Sequence, residues 1–413
     1  MNKSVKSEFL NVMIERGYVH QITDIEKLDL QASKALIVGY IGFDCTAPSL
    51  HVGSLIQIMM LRWFQKTGNK PIILMGGGTT KIGDPSGKDT ARPVLSNEKI
   101  EYNQNSIKSI FKKFLKFGDN KNDAIMIDNS SWLENINYIS FLREYGSSFS
   151  INKLLNLESV KLRLEREQNL SFLEFNYSLL QAYDFLQLNK EYDCSLQMGG
   201  SDQWGNIVTG LDLIRKKTSK QAFGLTSPLL TTSSGSKMGK SANGAIWLNE
   251  SELSNWNFWQ YWRNTEDLDV IKFLKLFTEL PLTEINKLEK LKGAEINEAK
   301  IILANEVTKL CRNEEEAHRI SKASANTFNK VMTDDTLPSA IIDHFEFKLI
   351  DALKLLDFVK SNGEARRLIK GNGARVNDIV INDENYSLCQ KEFKNFKVKI
   401  SSGKKKHGLL IMK

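Results

Sequence analysis

Buried-strand and helix patterns alternate along the first part of the chain. Residues 35–43 (ALIVGYIGF) form a continuous apolar run, which is typical of a strand buried on both faces of a parallel sheet. Residues 55–67 are apolar nearly all round and predict a buried helix, with Gly68 placed to cap it. Residues 71–75 (PIILM) predict the next strand. This order predicts a βαβ unit with a right-handed crossover.

The alternation continues further along the chain. It predicts strands at 124–128 (AIMID) and near 194–198, and helices at 177–190 and from about 203. The fold class is therefore α/β, with a doubly wound parallel sheet and a site at the carboxyl ends of its strands.

The pattern changes near residue 247. Helical periodicity rich in Trp, Leu, Lys and Glu follows, and the stretch TDDTLPSA (333–340) is typical of a linker. We predict a catalytic domain at 1–246, a helical domain at 247–332, a linker at 333–348 and a small module at 349–413.

Charge is distributed unevenly along the 413 residues. The chain has 56 Lys and Arg against 49 Asp and Glu, a net charge of +7. Residues 349–413 hold 14 basic and 7 acidic residues, so the remaining 348 residues carry 42 of each and are neutral. Only the C-terminal module is electrostatically suited to a polyanion.

The composition excludes several classes of protein. With 41% hydrophobic residues, the chain has enough apolar content for a sizeable core and is not of the disordered class. The four cysteines are far apart and form no CxxC pair, so neither a disulfide framework nor a structural zinc site is expected. No run suits a signal peptide or a membrane span, and we expect a cytoplasmic protein.

The first candidate for phosphate chemistry is the turn His51-Val52-Gly53-Ser54, between the first strand and the first helix. The N-terminus of a helix offers free N–H groups and a positive dipole end, so it binds anions readily. Taken alone, the tetrapeptide is as well explained by a polar turn that merely caps the helix.

The second candidate is the loop that contains Lys237-Met238-Gly239-Lys240-Ser241. Two lysines three positions apart can neutralise a polyphosphate, although a solvated loop explains them equally well. The loop is not a Walker A motif, because position 234 is Ser where a glycine is required. A dinucleotide fingerprint at Gly76 also fails, because position 81 is Lys.

The two motifs together resemble the ATP-binding signatures of the class I aminoacyl-tRNA synthetases. Further segments, in order along the whole chain, are similar to the bacterial tyrosyl-tRNA synthetase family: YIGFD (40–44), GDPSG (83–87), YSLLQAYD (177–184) and GGSDQWGN (199–206). The resemblance implies a Rossmann-like nucleotide-binding sheet, a helical anticodon-side domain and an S4-like RNA-binding domain. It also implies ATP-dependent attachment of L-tyrosine to tRNA(Tyr) through tyrosyl-adenylate.

The resemblance also implies a role for individual side chains. Tyrosine would be bound through its phenol by Tyr40 and Asp184, and through its ammonium by Asp84, Tyr177 and Gln181. Gln203 would line the tyrosine carboxylate and Asp202 the ribose. The other positions implied in ATP binding are Gly42, Asp44, Gly53 and Ser54.

Phosphate chemistry would fall to a further group. The resemblance implies Thr46 and His51 at the γ-phosphate, and it places at the departing pyrophosphate the side chains of Lys88, Arg92, Lys237 and Lys240. ATP is expected as a substrate together with Mg²⁺, which phosphates and water would coordinate, and no structural metal is expected. Ser54 departs from the family, which more often has His or Asn there.

One helix carries a polar stripe. Tyr177, Gln181 and Asp184 fall at i, i+4 and i+7 and share a face. Without the resemblance, such a stripe is more often solvated surface; the motifs on either side favour a binding site.

The basic module resembles the S4-type RNA-binding fold. Its candidate RNA-binding residues are Arg366, Arg367, Lys370, Lys404, Lys405 and Lys406. A solvated charged helix and tail is the alternative, but the concentration of the net charge favours RNA.

The family is a homodimer whose interface lies in an insertion near 130–170. Apolar residues there are Trp132, Ile139, Phe141, Leu142 and Phe149, and a core role is equally open for each. Two other functions are kept as alternatives: a tryptophanyl-tRNA synthetase, and a non-catalytic RNA-binding protein on a synthetase scaffold.

Overall fold

The structure is a computed structural model. It describes residues 5–85, 95–235, 238–241, 244–328, 337–394, 396–403 and 406–413, with only the backbone at 240–241 and 325–328. The chain forms two compact units. Unit 1 comprises Met1–Leu253 and Tyr261–Glu314, and unit 2 comprises Ser254–Gln260 and Glu315–Lys413.

Unit 1 is built around a six-stranded sheet. Its strands are β1 (Gln21–Ile22), β2 (Val38–Asp44), β3 (Lys70–Gly76), β4 (Ile125–Asp128), β5 (Cys194–Gly200) and β6 (Phe223–Ser227). Their order is β1-β6-β5-β2-β3-β4, and all neighbours are parallel except β1, which runs antiparallel to β6. The chain winds outward from β2 in one direction and from β5 in the other, so the switch point lies between these two strands.

Helices cover the sheet and extend the unit. In the first half they are α1 (Glu8–Glu15), α2 (Ile25–Lys34), α3 (Val52–Lys66), α4 (Asn97–Phe114), α5 (Ser130–Leu133), α6 (Tyr138–Tyr145), α7 (Ile151–Leu155), α8 (Glu158–Glu165) and α9 (Phe172–Phe175). Then follow α10 (Tyr177–Tyr192), α11 (Trp204–Thr218), the short strands β7 (Lys240–Ser241) and β8 (Gly244–Ala245), α12 (Asn255–Arg263), whose first six residues belong to unit 2, α13 (Val270–Phe277), α14 (Leu282–Leu288) and α15 (Ile296–Cys311). The next helix, α16 (Glu314–Phe328), belongs to unit 2 except for its first residue. The doubly wound α/β fold predicted from the sequence is confirmed.

Burial explains why the apolar runs become central strands and helices. β3 is buried along almost its whole length, as a strand covered on both faces requires. In α3 most side chains are buried, and His51 caps its first turn by accepting a hydrogen bond from the Gly53 N–H. The carboxyl end of β2 and the start of α3 are thereby fixed next to each other.

Unit 2 contains a small α+β region at its C-terminal end. Its elements are β9 (Ser339–Ile342), β10 (Phe347–Lys348), α17 (Leu349–Leu355), α18 (Asn362–Lys370), β11 (Ala374–Val376), β12 (Ile379–Ile381), β13 (Ser387–Leu388), β14 (Lys397–Ser402) and β15 (Lys406–Met412). Five of the strands form a sheet in the order β12-β11-β14-β15-β9, and α17 and α18 contribute to its core.

Two features differ from the predicted organisation. Part of the predicted linker forms β9 and β10, because β9 pairs in parallel with β15 and buries Ile342 in the core. Most of the predicted helical domain, α13 to α15, lies in unit 1. The domain boundaries themselves stay predictions. Among the described residues, no helix is long and apolar enough to cross a membrane.

Candidate active site

A cleft of about 540 Å³ opens at the carboxyl ends of β2 and β5. This is the switch point of the sheet, where doubly wound folds bind their ligands. Most of the residues implied by the resemblance line it: Tyr40, Gly42, Asp44, Thr46, His51, Gly53, Ser54, Asp84, Tyr177, Gln181, Asp184, Asp202 and Gln203. Gly42 faces open space, so a ligand can lie directly against the backbone of β2.

Six of the predicted residues are not described, or not fully described, by the structure. Lys88, Arg92, Lys237, Lys404 and Lys405 lie outside the described residues. Lys240 begins β7, and only its backbone is described.

Asp184 on α10 lies at the deep end of the cleft and is 2% exposed. Its carboxylate accepts hydrogen bonds from the Asn129 amide (2.9 Å) and from the Trp132 indole N–H (2.7 Å). Burial raises the pKa of Asp184 to about 7, although both donors act to lower it. This buried carboxylate therefore titrates near neutral pH.

The phenol of Tyr40 faces the same end of the cleft. Tyr40 is 1% exposed, and its hydroxyl has no hydrogen-bond partner among the residues that the structure describes. Burial raises the pKa of Tyr40 well above its usual range, and the charge of Asp184 acts in the same direction. A buried hydroxyl without a partner is costly, so this group is suited to a ligand that brings one.

The stripe on α10 continues along the cleft. The hydroxyl of Tyr177 donates to Asp44 (3.1 Å), whose other carboxylate oxygen accepts from Thr79 (2.8 Å). Tyr177 is 7% exposed, so this part of the predicted stripe faces the interior. The stripe is not solvated surface.

A second hydrogen-bond chain crosses the cleft. The Gln203 amide donates to Asp84 (2.8 Å), and the Asn206 amide donates to both Gln203 (3.2 Å) and Gln181 (3.1 Å). Asp84 is 8% exposed. Together with Asp44, this gives the middle of the cleft two carboxylates that can face a cationic ligand group.

The two phosphate motifs are in direct contact. His51 Nδ1 accepts from the Gly53 N–H (2.9 Å), which places any proton of the neutral ring on Nε2. A Cβ on Gly53 would lie 2.6 Å from the His51 ring, and a Cβ on Gly239 would lie 2.9 Å from His51 Nδ1. Gly239 also has φ +101°, which favours glycine. Both glycines are therefore needed for the imidazole to fit between the motifs.

Sequence reasoning missed three residues of the site. Asn129 and Trp132 fix Asp184, and Thr79 accepts from Asn129 (3.1 Å) as well as donating to Asp44. Asn129 follows β4 directly, and the carboxyl end of a parallel strand is where site residues collect. The position directly after β4 was therefore the sequence signal that could have identified Asn129.

Trp132 was one of the residues predicted for an interface, and its indole faces Asp184 instead. Phe141 is 7% exposed and belongs to the core, and Phe149 packs partly against the same cluster. Ile139 and Leu142 remain exposed, at 69% and 40%. Cys45 is buried, and burial raises the pKa of its thiol to about 12, which leaves the thiol unreactive.

Three of the predicted RNA-binding residues of unit 2 lie on α18. Ser361 caps this helix through the Glu364 N–H, and Arg366, Arg367 and Lys370 are exposed along it. Lys370 is paired with Glu384 (3.2 Å). Lys406 differs, because it is partly buried and its ammonium donates to the Phe358 carbonyl (3.1 Å).

The chain is similar to known proteins in sequence and in structure. Residues 33–329 match the family model of class I tRNA synthetases (W and Y). The chain is 55% identical over 404 residues to a tyrosine–tRNA ligase of Novosphingobium aromaticivorans, with 98% of each chain covered, and 52% identical over 407 residues to that of Rickettsia conorii, covering 97% and 99%.

A solved structure is also similar. The C-terminally truncated mitochondrial tyrosyl-tRNA synthetase of Aspergillus nidulans superposes with a TM-score of 0.70 and 31% identity. The match covers 78% of this chain and 94% of that one.

Proposed function

The chain belongs to the tyrosine–tRNA ligases of the class I tRNA synthetase family, and we propose that it attaches L-tyrosine to tRNA(Tyr) in two steps, of which the first consumes ATP. The observation that carries the proposal is the pair formed by the unpartnered Tyr40 hydroxyl and the buried Asp184 carboxylate. One group can donate to a substrate phenol and the other can accept from it. Phenylalanine would leave the Tyr40 hydroxyl unpaired and would offer no proton to Asp184, a discrimination for which tyrosine activation is the standard example.

The middle of the cleft then receives the amino-acid end of the substrate. We assign the ammonium to Tyr177, Gln181 and Asp84, since a buried carboxylate and two polar side chains converge there. Gln203 is assigned to the carboxylate of tyrosine, because its amide already faces this group of residues.

In the first step, a carboxylate oxygen of tyrosine attacks the α-phosphorus of ATP, and the bond to the bridging oxygen of pyrophosphate breaks. The tyrosine carboxylate is ionised at neutral pH, so the step needs no general base. Catalysis comes from positioning and from stabilising charge that develops on the phosphates. The second step transfers the tyrosyl group to the 3′-terminal ribose hydroxyl of tRNA and releases AMP.

We assign the phosphate end of ATP to the HVGS turn and the KMGKS loop. His51 offers an Nε2–H donor beside the N-terminus of α3, where anions bind readily. Thr46 lies in the same cleft and is also assigned to the phosphate end. The cleft residues that we assign to the nucleoside are Gly42, Asp44, Gly53, Ser54 and Asp202. Pyrophosphate is assigned to Lys88, Arg92, Lys237 and Lys240. We take the substrate to be the Mg²⁺ complex of ATP. Phosphate oxygens and water would coordinate the Mg²⁺ in this complex.

The exposed face of α18 is assigned to tRNA. Arg366, Arg367 and Lys370 are separated by helical spacing, and the net charge of the chain is concentrated in this module. Phosphate neutralisation by these residues predicts binding that weakens steeply with salt. We also propose that the protein acts in the cytoplasm, because it attaches an amino acid to tRNA.

We propose a homodimer that uses the segment 130–170. Ile139 and Leu142 on α6 expose apolar surface, which is suited to a two-fold contact. Ile139→Glu should therefore shift the protein towards monomer in sedimentation velocity. Leu30→Glu, on α2 and outside this segment, is the matched control because Leu30 is also an exposed apolar residue. A monomeric wild type would contradict this assignment.

The proposed reaction is tested by exchange of labelled pyrophosphate into ATP. The wild-type chain should exchange with tyrosine and not with phenylalanine or tryptophan. Equal exchange with tryptophan would favour the tryptophanyl alternative. The complete lack of exchange would favour a non-catalytic RNA-binding protein.

A further inference from the structure

The turn between α12 and α13 touches the entry of the loop that carries KMGKS. Asp269 accepts hydrogen bonds from the Ser233 backbone N–H (2.8 Å) and from the Ser233 hydroxyl (3.1 Å). Asp269 is 5% exposed, so the acceptor of these bonds is buried, whereas Ser233 itself is exposed. Glu266 accepts from the same hydroxyl, and hydrogen bonds from Ser233 and Ser234 lower the pKa of Glu266.

Tyr261, at the other end of this segment, contacts Gly239 of the KMGKS motif. The backbone N–H of Gly239 donates to the phenol oxygen of Tyr261, which is largely buried. The carbonyl of Gly239 accepts from the Ile246 N–H (3.1 Å), so both polar groups of this glycine are bonded. Gly239 is the residue that packs against His51 and the Gly53 N–H. Its bond to Tyr261 therefore fixes the contact between the two motifs.

We propose that Tyr261, Glu266 and Asp269 form a clamp that positions the KMGKS loop on the HVGS turn for the step that releases pyrophosphate. None of the three lines the substrate cleft, so they are positioning residues. The inference rests on the proposed function, which assigns the loop its part in the reaction. Lys237 and Lys240 flank Gly239 in the sequence, so a shift of Gly239 shifts the chain on which both are carried.

The clamp is distinct from the substrate contacts because it acts through backbone groups of the loop. Transition-state stabilisation is sensitive to displacements of about 1 Å in groups remote from the reacting atoms. Loss of the clamp should therefore affect the ATP-dependent step and leave the tyrosine site, at the other end of the cleft, unchanged.

The test uses the full-length variants Tyr261→Phe and Asp269→Ala. Single-turnover formation of tyrosyl-adenylate should slow by about tenfold in each, the effect of losing one buried hydrogen bond in the transition state. The dissociation constant of tyrosine without ATP, from equilibrium dialysis, should change by less than about twofold. Asp269→Asn keeps an acceptor for the Ser233 N–H and should recover most of the rate.

Asp267→Asn is the matched control. Asp267 lies in the same turn, is 61% exposed and pairs with Lys300, so the variant should react at the wild-type rate. Unchanged rates in Tyr261→Phe and Asp269→Ala would overturn the proposal. So would a loss of tyrosine affinity in proportion to the loss of rate, which a general structural role predicts. If the proposed function were wrong, the wild-type protein itself would form no tyrosyl-adenylate.

Discussion

The charge state of Asp184 should depend on Trp132, and the variant Trp132→Phe tests this. The change removes the indole N–H that donates to the carboxylate over 2.7 Å and keeps an aromatic ring in place. Hydrogen bonds to charged groups contribute about 1.5–3 kcal/mol, and one pKa unit corresponds to about 1.4 kcal/mol. Because this bond favours the ionised form, its loss should raise the pKa of Asp184 by about one to two units above its present value near 7.

The consequence should appear in the pH profile of tyrosine activation. The ionised form of Asp184 accepts the phenol proton, so kcat/KM for tyrosine should rise as the pH passes the pKa of this carboxyl in the free protein. In wild type that limb should lie near pH 7, and in Trp132→Phe it should move upward. At pH 7.5 the variant should lose roughly 3- to 25-fold in kcat/KM, and the loss should shrink above pH 9.

Pyrophosphate exchange at limiting tyrosine, between pH 6 and pH 9, measures the profile. Trp63→Phe, on α3 and outside the cleft, controls for the loss of a partly buried tryptophan in the same unit. The reasoning is refuted if the limb of Trp132→Phe coincides with that of wild type. It is also refuted if kcat/KM falls by the same factor at every pH, because then Trp132 has no effect on the ionisation of Asp184.

Three further predictions concern the rest of the site and unit 2. Tyr40→Phe should raise the melting temperature of the ligand-free protein, because it removes a buried unpaired hydroxyl, and should weaken tyrosine in equilibrium dialysis; an unchanged affinity would contradict the assignment. Gly53→Ala should reduce pyrophosphate exchange far more than tyrosine binding, because the added Cβ would meet the His51 ring at 2.6 Å. Equal losses of exchange and of tyrosine binding would argue against a phosphate role for His51. Replacing both Arg366 and Arg367 by Gln should leave exchange intact but weaken tRNA binding and reduce its salt dependence by up to about two units in the log–log slope; an unaltered slope would remove α18 from the RNA-binding surface.

The order of elements could be predicted from the sequence because the central strands are buried on both faces. The runs at 35–43 and 71–75 became the central strands β2 and β3, and the run at 124–128 became the partly exposed edge strand β4, with ends shifted by a few residues. The helical spacing of Tyr177 and Asp184 placed both on one face of α10, and the structure confirms that helix.

The partners of that stripe could not be predicted in the same way. Trp132 is separated from Asp184 by 52 residues, and a tryptophan in a mostly polar segment gives no sign of where its single N–H will point. The contact depends on how α5 packs against α10, which is a tertiary property. The strand β9 within the predicted linker could not be foreseen for a related reason, because it depends on its partner β15 about 70 residues later.

The packing of His51 between two glycines has a consequence for synthesis of the chain. Gly53 is translated two residues after His51, but Gly239 follows His51 by 188 residues. At a synthesis rate of about 5–20 residues per second, the ribosome needs roughly 10 to 40 seconds to add the second motif. During that interval the first motif has emerged without the segment that completes it, and the nascent chain has half a nucleotide site. Nucleotide can therefore stabilise the catalytic unit only late in folding, after β5 and β6 are in place.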